Sequence, residues 1–311
     1  MADHNLELER LKPWYPGQLG IRGSDNSLGL RTGGGNVYWV GHATQFTTAD
    51  DNNDGTDPAF PKATIQSALD QCVDGRGDFV VLLPGHYDIT EALSMVKDSV
   101  RLVSWDYLRG QAAPSAVIDA NGACHCLDVD ADEIEIAGIR FANSEGDAEA
   151  CIRVAVTADT IGVHIHDCLF AVGLHGIYLG VGTEWAQDVL IERCTFMMMD
   201  NTAADAAIFM NLTTRCIVQN NFFWSNMAQA VYGVSIANVS QPGTIIRDND
   251  FVFQQAGTGI FRAGTNVDVS MHGNRFSGAG TPITVLVDGG DHAVENYVAD
   301  GAGGALVDAT T

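Results

Sequence analysis

Thr244–Phe251 reads TIIRDNDF. Three stretches upstream follow the same grammar: VHIHDCLF at Val163–Phe170, VLIERCTF at Val189–Phe196 and CIVQNNFF at Cys216–Phe223. With the closing Phe as anchor, the series is Phe141, Phe170, Phe196, Phe223, Phe251 and Phe276, with Val298 in the last turn. Spacings of 29, 26, 27, 28, 25 and 22 residues mark a stacked, repetitive architecture. Seven and five residues before the anchors stand apolar pairs such as Val163 with Ile165 and Cys216 with Val218. Each pair shares one face of a strand, because strand side chains alternate. The anchor and the residue two before it share a face on the other parity. Two polar residues between them, such as Gln219–Asn220 or Arg247–Asp248, therefore form a corner that turns the chain without losing the inside. A second apolar strand follows each anchor, as in GIYLGV, AAIFMN and AVYGVSI.

Coils of this kind stack at about 4.8 Å, the strand-pairing distance. The position two before the anchor then becomes a column: Ile139, Cys168, Cys194, Asn221, Asn249, Asn274, Asn296. Four asparagines in register predict an internal amide ladder, in which each amide donates to and accepts from its neighbours. A buried amide without such partners costs a few kcal/mol. Upstream, DFVVLLPGHYDI, SVRLVSW and SAVIDANGACHCLDV read as the first coils. Before them, Ile65, Leu69 and Cys72 share one helical face, which predicts a short cap helix near 63–72 that plugs the open end of the stack. The first 35 residues do not repeat. Trp14, Tyr15, Leu19 and Ile21 lie there among Pro and Gly and are expected to form an extended attachment arm, with the β-helix domain spanning 36–311. The last coil, GALVDATT, has no evident cap and is expected to need covering.

The chain has 311 residues, 46% of them apolar, and a formal charge of −23 from 39 acidic against 16 basic side chains. That balance excludes a phosphate backbone as partner and disfavours anionic membranes, so neither nucleic acid nor membrane is expected. Seven Cys is an odd number, and several fall at inward positions; they are expected to be reduced, in a protein assembled in a reducing cytoplasm. The start, MADHNLELER, shows no export signal.

NDGTDPAFPKATIQSALDQC, then VVLLPGHYDI, then coils closing on NNxF-like anchors resemble the right-handed parallel β-helix proteins of the pectate-lyase-like superfamily, from Asn36 to the C-terminus. The resemblance implies an all-β, right-handed, single-stranded parallel β-helix. That fold carries lyases, hydrolases, tailspikes and non-enzymatic virion proteins, so activity must be argued from sites. Leu174-His175-Gly176 lacks the first Gly of the polygalacturonase Gly-His-Gly, and no Lys follows Lys97, which removes Arg-x-Lys. Asp50, Asn52, Asp54 and Gly55 fit the opening of a calcium loop, but position twelve is Pro61 and not Glu; Ca²⁺ is the one cofactor considered. Cys124 and Cys126 read as packed strand residues, His164 and His166 as an outward pair, and Glu192 as part of a solvated corner. No catalytic residue is assigned.

The resemblance further implies a trimer, as formed by parallel β-helices with such ends in viral fibres and spikes. The expected function is a non-enzymatic virion protein: a homotrimeric knob that decorates or cements a phage capsid, anchored by its arm to the major capsid protein or another virion protein and located in the virion. The alternative is a short tailspike that binds or cleaves surface polysaccharide. An aromatic groove would favour that alternative; Phe222, Trp224, Tyr232 and Tyr297 form no obvious stripe in the sequence.

Overall fold

The repeat becomes a coil through two backbone corners. In a computed structural model of the chain, the residues three before successive anchors are Gly138, Asp167, Arg193, Asn220, Asp248 and Gly273, and those eight before are Glu133, Gly162, Asp188, Arg215 and Gly243. All have φ between 51° and 78°, the left-handed region that Gly, Asn and Asp enter most readily. Each pair of corners brackets a short strand whose inward residues lie seven and five before the anchor. Two corner columns add ion pairs from coil to coil, Arg193 to Asp167 and Arg215 to Asp188. The arginines are half exposed, so each pair contributes at most about 1 kcal/mol.

The structure describes residues 35–110, 114–122, 124–143, 150–172, 175–198, 206–226, 231–237, 243–254, 257–262, 269–278, 281–284, 292–294, 296–298 and 307–308. The expected attachment arm, with Trp14, Tyr15, Leu19 and Ile21, lies outside them. Among the described residues three long sheets, parallel except for one last strand, form the walls of a right-handed parallel β-helix, and a fourth sheet has three short strands. Sheet I has ten strands, from Val37–Val40 to His292–Val294. Sheet II has ten, from Gly85–Asp88 to Val307–Asp308, and sheet III eight, from Leu93–Met95 to Thr281–Thr284. The register places each anchor on the next, Phe170 opposite Phe141 and Phe196, and Phe223 opposite Phe196 and Phe251.

Six anchor rings stack through the core at centroid separations of 4.6 to 5.3 Å, with planes within 11° of parallel. Beside them runs the amide column. Asn221 Nδ2 donates to Asn249 Oδ1 at 3.1 Å, Asn249 to Asn274 at 3.0 Å, and Asn274 to Asn296 at 2.9 Å. The second proton of each Nδ2 goes to a carbonyl: Ile191, Val218, Ile246 and Met271 in turn. Each Oδ1 also accepts a backbone N–H from the coil before, beginning with Cys194. At 0–2% exposure each amide nitrogen and oxygen of the four side chains thus has a partner, which offsets their burial. Earlier in the column, Cys168 and Cys194 turn their thiols toward the carbonyls of His166 and Glu192. No disulfide is formed among the described cysteines.

Helix α1 (Ile65–Gln71) starts at Thr64, whose Oγ1 accepts from Ser67 N–H. It buries Ile65, Ala68 and Leu69 against the first coils. The far end departs from the expected uncapped last stretch, GALVDATT. Val307–Asp308 folds back and pairs antiparallel with Tyr297–Val298 on sheet II, so the strand edge that a bare last coil would expose is paired there.

Candidate functional site

Two outer faces carry chemistry. The first lies on sheet I, where helix α2 (Trp105–Leu108) leaves the wall and folds back over it. Ser104 caps this helix, its hydroxyl accepting from Tyr107 N–H at 3.2 Å. Trp105, Tyr107 and Leu108 pack on an outer apolar patch of Trp39, Phe79, Val81, Val103 and Ala137. The seat depends on Gly138: with φ at 66°, a Cβ there would stand 2.3 Å from Tyr107 Cβ.

Under Tyr107 sits an ionic network. The Tyr107 and His166 rings meet edge to face at 5.3 Å, and His164 and His166 lie 4.0 Å apart. His166 is 2% exposed; its Nδ1 lies 2.8 Å from Asp167 and its Nε2 3.1 Å from Glu135. Burial alone would lower its pKa, but those two carboxylates raise it to about 9. Burial keeps its neighbour His164 below the ordinary value, against the pull of Glu192. Burial would raise Glu192 too, yet His164, Arg193 and Gln219 hold it at about 2. Asp167 and Glu135 are also lowered, burial being outweighed by the bonds from His166. An open pocket of ≈ 330 Å³ adjoins the network, lined by Tyr107, Gly138, Asp167, Arg193 and Thr195 among others.

The network corrects two expectations. His164 and His166 do issue from the outer face of sheet I, but His166 is buried, because α2 covers it. Glu192 is 6% exposed and serves as the network's acceptor; it is not a solvated corner. The raised pKa of His166 sets the sign of a pH dependence. Its folded pKa exceeds the unfolded 6.5, so its stabilisation is complete below pH 6.5 and is lost as pH rises through about 9. The predicted loss between pH 6.5 and 10 is on the order of 3 kcal/mol. Denaturant unfolding across that range checks it: His166→Gln should flatten the decline, and an equal decline in the variant would refute the assignment.

The second face lies on sheet III. Register aligns Asp128, Arg153, Tyr178, Phe209, Ser235 and Phe261 in one outward column. Tyr178 meets Phe209 edge to face at 4.9 Å, and His175 stacks on Phe209 at 5.0 Å. Tyr232 stacks on Phe261 at 4.4 Å. Ser235, 3% exposed, lies between Phe209 and Phe261 in the column. All five rings are half-buried. At the upstream end Arg153 binds Asp128 through Nε and Nη2, and His125 joins both. The aromatic run that was not visible in sequence therefore exists, and of the four aromatics singled out there only Tyr232 belongs to it. Phe222 and Trp224 belong to sheet II.

The proposed calcium loop uses its side chains as turn acceptors. Asp50 Oδ1 accepts from the Asn52 backbone and amide, and Asp54 Oδ1 from Thr56 N–H. Asp51, not singled out by sequence, caps Ala63 and Thr64 ahead of α1.

Coils, register and core columns together define a parallel β-helix protein. Within that class the chain belongs to the NosD family: its model, described as periplasmic copper-binding protein (NosD), matches residues 124–301, more than half of the 311. No curated protein gives a significant sequence match. Among solved structures, the pectin methylesterase from Aspergillus niger is similar with a TM-score of 0.51 at 13% identity, covering 90% of this chain and 88% of that one. A mutant of the tailspike protein of E. coli bacteriophage HK620, in complex with a pentasaccharide, has a TM-score of 0.38 at 11% identity, over 94% of this chain and 71% of that one. The GH136 lacto-N-biosidase from Eubacterium ramulus has a TM-score of 0.39 at 11% identity, over 85% and 68%. At that identity the likeness to the methylesterase is one of fold.

Proposed function

We propose that the chain is a glycan-binding β-helix and that the outer face of sheet III is its binding surface. The observation that carries this reading is the run of His175, Tyr178, Phe209, Tyr232 and Phe261 across successive coils. Aromatic faces with polar groups beside them are the surface on which a sugar's apolar C–H face and its hydroxyls can both be met. The charge of −23 repels polyanions, so the favoured ligand is a neutral oligosaccharide lying along the helix axis. Binding is favoured over cleavage. A glycosidic general acid needs a raised pKa, and in Asp128, the carboxyl in the sheet III column, burial is outweighed by His125 and Arg153, which hold it low.

The aromatic run moves the reading from a capsid-cementing knob to a receptor-binding protein of the tailspike kind. A homotrimer, attachment to a virion protein through the arm and a virion location are carried forward as the proposed setting. Copper, named in the family description, does not fit the described residues of the matched stretch. Copper takes imidazole, thiolate and thioether donors. There, both ring nitrogens of His166 face carboxylates, Cys126, Cys151, Cys168, Cys194 and Cys216 are buried in the core, and no three His, Cys, Asp or Glu side chains converge among the described residues.

A glycan array tests the proposal. The chain should bind a neutral oligosaccharide, and Tyr178→Ala and Phe209→Ala should each weaken that binding at least tenfold with the fold retained by circular dichroism. Absence of binding to any glycan, or full binding by both variants, would overturn it.

A further inference from the structure

A third cluster lies on the outer face of sheet II, upstream of the stretch that the family model matches. Gly85–Asp88 alternates buried and exposed residues, so His86 and Asp88 both point outward. The neighbouring strand Ala116–Asp119 is in register with it, and places Asp119 directly opposite Asp88. Two carboxylates thus issue side by side from adjacent strands, an arrangement that repels. His86 Nε2 stands between them, 3.1 Å from Asp119 Oδ2 and 3.5 Å from Asp88 Oδ1. The three ligand atoms lie within 4.8 Å of one another, and theirs is the only such group of three among the described residues.

The spacings are informative. Metal bonds of about 2.0–2.2 Å to imidazole and carboxylate put neighbouring ligands about 3.0–3.5 Å apart around a four- or six-coordinate ion. Both observed separations fall in that range. Asn121, itself in the left-handed region at φ 49°, steadies the pair: its backbone N–H donates to Asp119 Oδ1 at 2.8 Å and its Nδ2 to Asp88 Oδ1 at 3.0 Å. Carboxylate ligands are commonly fixed by such outer hydrogen bonds. The sheet supplies the rigid base, since Tyr87, between His86 and Asp88, and Ile118, next to Asp119, are anchored in the core.

We propose that His86, Asp88 and Asp119 bind a divalent transition-metal ion of the Zn²⁺ class. One imidazole with two carboxylates suits Zn²⁺ and its first-row neighbours, whereas Ca²⁺ takes oxygen ligands alone. With His86 and Asp88 more than half exposed and Asp119 at 13%, the site faces solvent and leaves the remaining coordination positions to water or to a ligand group. A divalent ion there cancels the repulsion across Asp88 and Asp119.

The experiment is calorimetric titration of the full, untagged chain with Zn²⁺, and separately with Ca²⁺. One Zn²⁺ site is expected, with Ca²⁺ binding there at least tenfold weaker. His86→Ala and Asp119→Asn should each weaken Zn²⁺ binding at least tenfold; thermal melts of the metal-free variants, expected to match the parent, establish that they are folded. No Zn²⁺ binding by the parent, Zn²⁺ binding unchanged in both variants, or Ca²⁺ bound as tightly as Zn²⁺ would overturn the proposal.

Discussion

Replacing Asn249 by alanine should cost about 3–5 kcal/mol of folding stability. The side chain makes four hydrogen bonds at zero exposure: it donates to Val218 O and Asn274 Oδ1 and accepts from the N–H and Nδ2 of Asn221. Alanine removes all four and offers nothing in return. Each buried group left unpaired costs about 1–3 kcal/mol, and relaxation of the column recovers part of the sum. Against a typical stability of about 5–15 kcal/mol, that is a large fraction. Asn220→Ala is the internal control. Asn220 is exposed at the left-handed corner, φ 56°, so its replacement should cost about 1 kcal/mol through backbone strain. Denaturant unfolding of both variants decides the matter; equal, small losses would mean that the amide column contributes little.

Phe223→Ala should be as damaging, by about 3–5 kcal/mol. The ring lies at 4.9 Å from Phe196 and 4.6 Å from Phe251, in nearly parallel planes, and is fully buried. Its removal opens a gap in the middle of the stack that coils held by backbone pairing on both sides cannot close. Phe223→Leu keeps most of the volume and should cost less than about 1.5 kcal/mol. The adjacent Phe222 is 41% exposed, and Phe222→Ala should fall within about 0.5 kcal/mol of the parent. A loss at Phe222 equal to that at Phe223 would mean that the two residues have been assigned to the wrong faces.

These contrasts between neighbours show what the repeat makes readable. Parity is strict in a strand, so anchor, apolar pair and amide column could be assigned to the inside from residue type and spacing. The corners were less visible. Gly, Asp, Asn, Glu and Arg all occupy the left-handed positions, and the arginines sit there with an aspartate of the previous coil as partner, which no single repeat reveals. Helix α2 was hidden because SVRLVSW reads as a strand running into Trp105, although Ser104, Asp106 and Gly110 carry ordinary cap signals. Missing it made His166 look exposed. The sheet III aromatics were missed for a different reason. Tyr178, Phe209 and Phe261 come together only through register, and the loops between coils vary in length, so their separations in sequence follow no fixed period. The cluster of His86, Asp88 and Asp119 joins two strands about thirty residues apart and likewise has no local motif.

The proposed glycan surface is the outer face of sheet III. A crystal structure with the oligosaccharide selected on the array tests it most directly. Density for the chain of sugars is predicted along the helix axis, in contact with Tyr178, Phe209 and Phe261. Sugar seated instead in the pocket of Tyr107 and Arg193 on sheet I, or against sheet II, would contradict the claim.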